Sequence, residues 1–479
     1  MSDGLWAHQQ REWLVGRDKR ARALIWPMRS GKSRSCIQKA CYQYEHGRIR
    51  GVIVVAPNGV HLNWAVNEIP KWGQGHVHTW ETPKRADFEQ MAKFDAMLSS
   101  RGLKWFCINM EALKHLDCRR DVKRFLAATD HKFMLIVSEA HHFGHAGSKR
   151  TYFARSLGRH AAFRQIETGT PITNGPLRSF SEYEILQPGA LGFPTYTKFQ
   201  KHFADFELEE RTSGRRYPKL VGYKNMPELT SLISKWSSVV LREDIHDMPA
   251  LIRTERLIVM SEVQRRAYLE MVSHHLIEIG DSEVDGKDAG ARVQKLQQIL
   301  NGYVMKDGAI HTIDPEAPIY AALMDEIEGT LPGKSLVWCR YREDIRRVTK
   351  LLHTKWGPKS FVEYHGGIID INKREAGRIE FNTDHRKMVC VGQPTAGGEG
   401  RDFSGADAVI FFSSVPNALA IQQAEERATV KGGRTVSIVR IRTPGTVDDR
   451  NWEIIDGNIA IADSVAGHGL RDLLRRTDI

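Results

Sequence analysis

A chain of 479 residues, 41% hydrophobic and 27% charged, is too long for one ordinary core and has the balance of a globular protein of two or three domains. No apolar run approaches the roughly 20 residues that span a bilayer, and residues 1–19 are polar and charged without a signal-peptide pattern, so a cytoplasmic protein with no membrane partner is expected. The formal net charge of +11 favours polyanionic partners, and six scattered cysteines, none in a CxxC pair, argue against a zinc ribbon or a disulfide framework.

In chain order, buried strands are predicted at 23–26, 52–56, 106–109, 134–137 and 165–168, and again at 335–339, 361–364, 388–391, 408–412 and 436–441. Such near-continuous Val/Ile-rich runs belong to parallel sheets covered by helices on both faces, which predicts two doubly wound α/β domains in tandem. The first is placed at 1–245 and the second at 246–479. Segment 175–240 reads as a helical insertion with an exposed basic loop carrying Arg211, Arg215, Arg216 and Lys219. Ser261-Glu-Val-Gln264 is a capping-box pattern opening a helix toward Ile279. The polar, glycine-bearing stretch 280–290 reads as a mobile loop.

The strongest local signal is Ile25-Trp-Pro-Met-Arg-Ser-Gly-Lys-Ser33, a strand, a tight loop and then a helix predicted over 33–46. Backbone N–H groups of Arg29, Ser30 and Gly31 would converge on phosphate oxygens at a helix N-terminus. Lys32 would reach the β- and γ-phosphates of ATP, and the Ser33 hydroxyl would sit on Mg²⁺. The loop departs from the usual spacing, with Trp26 in place of the first glycine and Arg29 in place of another.

Phe133-Met-Leu-Ile-Val-Ser-Glu-Ala-His141 is a buried strand ejecting Ser138 and Glu139 at its carboxyl end, where ligands sit in open α/β sheets. Glu139 is placed to orient or deprotonate an attacking water, and His141 to couple the nucleotide to the rest of the cleft. His141, His142 and His145 lack an HExxH pattern or a cysteine partner and read as polar cleft residues rather than a zinc site.

The order of these blocks resembles the Swi/Snf-type ATPases of helicase superfamily two, in a compact bacterial or phage-like form. Leu5-Trp-Ala-His-Gln-Gln10 resembles the adenine-reading Q motif, with Gln9 as reader. Ala56-Pro57 with Leu62-Asn-Trp64 resembles motif Ia, Ile108-Asn-Met-Glu111 motif Ib, and Ser138-Glu-Ala-His141 a DEAH-box variant. Thr168-Gly-Thr-Pro-Ile-Thr-Asn174 resembles motif III, Val337-Trp-Cys339 motif IV, Ala396-Gly-Gly-Glu-Gly-Arg-Asp-Phe403 motif V, and Gln422-Gln-Ala-Glu-Glu-Arg427 motif VI.

The resemblance implies two RecA-like domains closing on ATP and Mg²⁺ while translocating on double-stranded DNA, with a protein partner supplying targeting. It implies Lys32, Glu139 and Arg427 as catalytic residues. Gln9, His141, Gly398 and Gly400 join the phosphate loop in binding ATP, and Ser33, Ser138 and Glu139 attend the metal. Asn63, Trp64, Asn109, Lys114, Arg215, Arg216 and Thr395 face the nucleic acid. Two departures bear on turnover: Ser138 stands where the family has the metal-holding aspartate, and Val430 where it has a second arginine, with Lys431 and Arg434 nearby as stand-ins. A weakly hydrolysing DNA clamp and a strand-separating DNA or RNA helicase therefore remain alternatives to the translocase.

Overall fold

The computed structural model describes residues 4–81, 88–169, 175–210, 216–246, 248–274, 276–279, 282–285, 289–395, 401–430 and 432–462. The chain divides into two compact units, Met1–His246 together with Asn458–Ile479, and Asp247–Gly457.

In the first unit the strands are β1 (Ala21–Ile25), β2 (Gly51–Ala56), β3 (His76–Thr79), β4 (Lys104–Asn109), β5 (Phe133–Ser138), β6 (Phe163–Thr168), β7 (Ala204–Glu210), β8 (Arg216–Tyr223) and β9 (Ser237–Val239). Seven of them form one sheet in the order β3-β4-β2-β5-β6-β1-β9, with every pairing parallel. β1, β2 and β5 are buried along their whole length, as expected of strands covered on both faces. The order sets β1, β6 and β5 side by side, so the loops leaving their carboxyl ends are neighbours.

The sequence reading missed β3 and β9. His-Val-His-Thr is half-exposed at the sheet edge, and Ser-Ser-Val carries no apolar run. Segment 175–240 carries its expected helices, Ser179–Leu186, Tyr196–Phe203 and Met226–Ser234. The first of these is wholly buried. The segment also holds an antiparallel hairpin of β7 and β8, so Arg216 and Lys219 lie on a strand rather than in the expected loop. Arg211 and Arg215 lie outside the described residues.

In the second unit the strands are β10 (Leu251–Leu257), β11 (Leu276–Ile279), β12 (Ser282–Asp285), β13 (Tyr303–Lys306), β14 (Ala309–Thr312), β15 (Ser335–Trp338), β16 (Phe361–Tyr364), β17 (Val389–Gly392), β18 (Ala408–Phe411) and β19 (Val436–Arg442). Six form a second all-parallel sheet, β10-β19-β18-β15-β17-β16. The predicted capping box is present: Ser261 N donates to Gln264 Oε1 at 3.1 Å and Gln264 N to Ser261 Oγ at 3.2 Å. Its helix is Glu262–His274 and stops short of Ile279, because Leu276–Ile279 pairs antiparallel with Ser282–Asp285 where a loop was expected.

All six cysteines are buried and none is in a disulfide. Among the described residues no helix is long and apolar enough to cross a membrane.

Candidate nucleotide site

The phosphate loop leaves β1 at Ile25 and turns sharply before the helix Lys32–Glu45. Two residues take left-handed backbone, Arg29 at φ 60° and Gly31 at φ 78°. At Gly31 the positive φ favours glycine, and a β-carbon there, 2.1 Å from Gln9 Nε2, would also push the Gln9 amide aside. Trp26, in the place of the missing glycine, is fully buried; its indole donates to Ser238 Oγ at 3.1 Å and meets the His8 ring edge-on. An indole thus braces the loop where the usual pattern has bare backbone.

The helix Ala7–Gly16 holds the loop from the other side. Gln9 Nε2 donates to Gly31 O at 3.1 Å, Gln9 Oε1 accepts from Trp6 N at 2.9 Å, and a His8 ring nitrogen lies 2.8 Å from Ser30 O. Gln9, expected to read adenine, thus also braces the loop through its amide. Lys32 Nζ donates to the Trp26 and Pro27 carbonyls, both at 3.0 Å, which fixes its ammonium within the curl of the loop.

Two strands from β1, with β6 between, Ser138 ends β5, and Glu139 follows in left-handed backbone at φ 52°. That conformation costs a non-glycine residue roughly 1–3 kcal/mol and is concentrated at functional sites. His141 Nδ1 is 3.3 Å from Glu139 Oε2 and 3.1 Å from Thr168 Oγ1, so one ring links the end of β5 to the end of β6. The next residue, Gly169, faces the phosphate loop: a β-carbon there would lie 3.5 Å from Trp26 O. Residues 170–174 lie outside the described residues.

Sequence reasoning missed Glu167. Its Oε1 accepts from Ser138 Oγ at 2.5 Å and its Oε2 from Cys36 Sγ at 3.5 Å. Burial pushes its carboxyl up to about 7; the Lys32 charge and the Ser138 hydroxyl act the other way, and the neighbouring Glu139 adds to the rise. The signal was an acidic residue inside the strand Phe-Arg-Gln-Ile-Glu-Thr, immediately before Thr168-Gly169.

Ser33, Ser138, Glu139 and Glu167 are hard oxygen donors, the set that suits Mg²⁺. Among the described residues no group of three or more His, Cys, Asp or Glu side chains is placed to hold a metal by itself.

In the second unit Arg427 is 2% exposed, with its guanidinium 5.6 Å from the Trp338 ring centre. Its carbonyl accepts from Phe403 N at 3.0 Å, which ties the end of motif V to motif VI. Arg434 does not fit the part of the missing second arginine. It pairs with Asp407 at 2.7 Å, at the amino end of β18, whereas ligands of such sheets sit at the carboxyl ends. Gly398, Gly400 and Lys431 lie outside the described residues, and Thr395 is exposed.

Of the other expected nucleic-acid contacts, Asn63 is exposed, and Asn109 caps the short helix Met110–Lys114 through a 2.8 Å bond from Glu111 N. Lys114 is exposed, 3.5 Å from Glu111. Trp64 is corrected: at 1% exposure it is a core side chain and offers no face to a ligand. Arg216 is exposed, but its strand lies beside β7 with Asp205, Glu207 and Glu209, and Lys219 pairs with Glu209 at 2.9 Å. Of the expected basic cluster, Arg216 and Lys219 thus lie beside the acidic residues of β7, while Arg211 and Arg215 lie outside the described residues.

A parallel sheet with a lysine-bearing phosphate loop beside an acidic strand end, followed by a second parallel sheet, defines a helicase-type ATPase. The model of the SNF2-related domain matches residues 9–307 and that of the helicase conserved C-terminal domain residues 319–432; the chain belongs to the SNF2-related family. It is 24% identical to the TATA-binding protein-associated factor mot1 of Schizosaccharomyces pombe, over 70% of this chain and 20% of that protein. It is 24% identical to the DNA repair and recombination protein RAD26 of Saccharomyces cerevisiae, over 66% of this chain and 30% of that one. The chain thus spans less than a third of the length of these relatives. Among solved structures, the Sulfolobus solfataricus SWI2/SNF2 ATPase core in complex with dsDNA matches with 17% identity and a TM-score of 0.41, over 98% of this chain and 94% of that one.

Proposed function

We propose that this chain is an Mg²⁺-ATP-driven translocase on double-stranded DNA. The observation that carries the reading is the convergence of Lys32, Glu139, His141 and Thr168 at the adjacent carboxyl ends of β1, β5 and β6. Lys32 binds the β- and γ-phosphates, Ser33 and Ser138 attend Mg²⁺, and Glu139 positions the attacking water. Arg427, with Gly398 and Gly400, supplies the second domain's share when domains 1–245 and 246–479 act on one nucleotide.

A duplex is a repeating line of phosphates, so a motor needs positive and polar loop ends rather than base readout. Asn63, Asn109, Lys114 and Thr395 are the contacts that fit this need, being exposed or partly exposed at the end of β4 or on the segments that follow β2, β4 and β17. Targeting falls to a partner protein, and the place of work is the cytoplasm. One observation favours a second reading, a slowly hydrolysing clamp: Val430 occupies the second arginine position and Arg434 is engaged elsewhere. Steady-state ATPase with and without duplex DNA separates the two. The translocase shows turnover that duplex stimulates; the clamp binds ATP and DNA with no such stimulation.

A further inference from the structure

Ser138 and Glu167 stand opposite each other in the parallel register of β5 and β6, so their side chains emerge on the same face of the sheet. The phosphate-loop helix covers that face, with Cys36 on Glu167 Oε2 and the Lys32 charge close enough to act on the carboxyl. Glu167 is 2% exposed. A carboxylate buried this far is costly unless a cation compensates it.

The Ser138 hydroxyl has one hydrogen, and its 2.5 Å bond commits that hydrogen to Glu167 Oε1. Its lone pairs are left to accept a bond or to meet a cation. A hydroxyl polarised in this way is a better partner for a hard cation than a free serine, and the negative charge is one bond behind it.

The geometry points to Glu167 as the residue that supplies the metal-holding negative charge in this chain, carried across from β6 to the site through the Ser138 hydroxyl. The inference rests on the ATP-site reading above and deepens it. The charge that the family keeps at the end of one strand is displaced onto its neighbour, and the serine serves as the contact rather than as a defect. It also follows that an aspartate at position 138 alone restores nothing, because two carboxylates would then meet at hydrogen-bond distance.

The test is binding of a fluorescent ATP analogue to the full chain while MgCl₂ is titrated, with Mn²⁺ electron paramagnetic resonance as a second readout of bound metal. Measured against its own metal-free affinity, Glu167→Gln is expected to need about 10–100-fold more Mg²⁺ for half-effect, the range for loss of a ligand-supporting group. The pair Ser138→Asp with Glu167→Leu, which returns the charge to β5, is expected to recover wild-type metal dependence, whereas Ser138→Asp alone is not. An unchanged Mg²⁺ dependence in Glu167→Gln overturns the inference, as does wild-type binding indifferent to the metal. Should Glu167→Gln fail to fold, the double variant decides: recovery supports the inference and loss of metal dependence overturns it. If the wild type binds no nucleotide at all, with or without Mg²⁺, it is the ATP-site reading that fails.

Discussion

The side-chain amide of Gln9 fills the space in which a β-carbon on residue 31 would have to sit, 2.1 Å away, and donates to the Gly31 carbonyl at 3.1 Å. The first helix and the phosphate loop are thus built against each other. Gly31→Ala collides with that amide and also strains a φ of 78°, which costs about 1–3 kcal/mol. Fluorescent-nucleotide titration is expected to show affinity down by roughly tenfold or more, since each 1.4 kcal/mol is a factor of ten. Adding Gln9→Ala removes the collision but not the strain, so it is expected to return only part of the loss.

Glu182 gives a pH signature. Its helix, Ser179–Leu186, is wholly buried, and both carboxyl oxygens lack a hydrogen-bond partner among the described residues. Burial pushes its carboxyl up to about 8, against the pull of His141 and Arg178. The folded chain therefore holds this proton more tightly than the unfolded one. The stability is fully present below the ordinary carboxyl range near 4.5 and is lost as pH rises toward about 8. Glu182→Leu is expected to stabilise by a few kcal/mol at pH 8.5 and by much less at pH 5, read from urea midpoints. An equal gain at both pH values contradicts the assignment.

The second unit has its own buried carboxylate, differently served. Asp344 accepts from the Tyr303 hydroxyl at 2.7 Å, from Asn301 and Ser413 at 3.0 Å each, and from Tyr341 N at 3.2 Å. Asp344→Ala strands four donors at once. Each orphaned buried donor costs about 1–3 kcal/mol, so a loss of several kcal/mol is expected in chemical unfolding. Asp344→Asn, which keeps an acceptor oxygen, is expected to fall between.

DNA affinity is expected to drop steeply with salt, as log K against log salt with a slope of about 0.9 per phosphate contacted. Lys114→Ala should lower that slope by about one and weaken all sequences alike. Trp64→Ala, by contrast, should cost stability, because the indole is core.

Much of the scaffold was legible because its strands are apolar runs: β2, β5, β17 and β18 were found within a residue or two of their ends. β10 is absent from the predicted strands, since Leu-Ile-Arg-Thr-Glu-Arg-Leu is largely exposed at a sheet edge and its charges mask the pairing with β19. The phosphate loop was legible from Gly31-Lys-Ser33 alone, but its bracing by Gln9, His8 and Ser238 was not. Nor was the Ser138–Glu167 pair, whose members lie 29 residues apart and meet only through the β5–β6 register. A reading of one strand at a time sees a lost aspartate; the sheet supplies the carboxylate from the next strand.

The most direct test of the central claim is ATP hydrolysis by the full chain, with Mg²⁺, measured without nucleic acid and with single-stranded DNA, duplex DNA and RNA in turn, beside the Lys32→Ala variant. A translocase is predicted to show turnover that rises most with duplex DNA and vanishes in Lys32→Ala. Turnover that no nucleic acid changes, or that survives intact without the Lys32 ammonium, would contradict it.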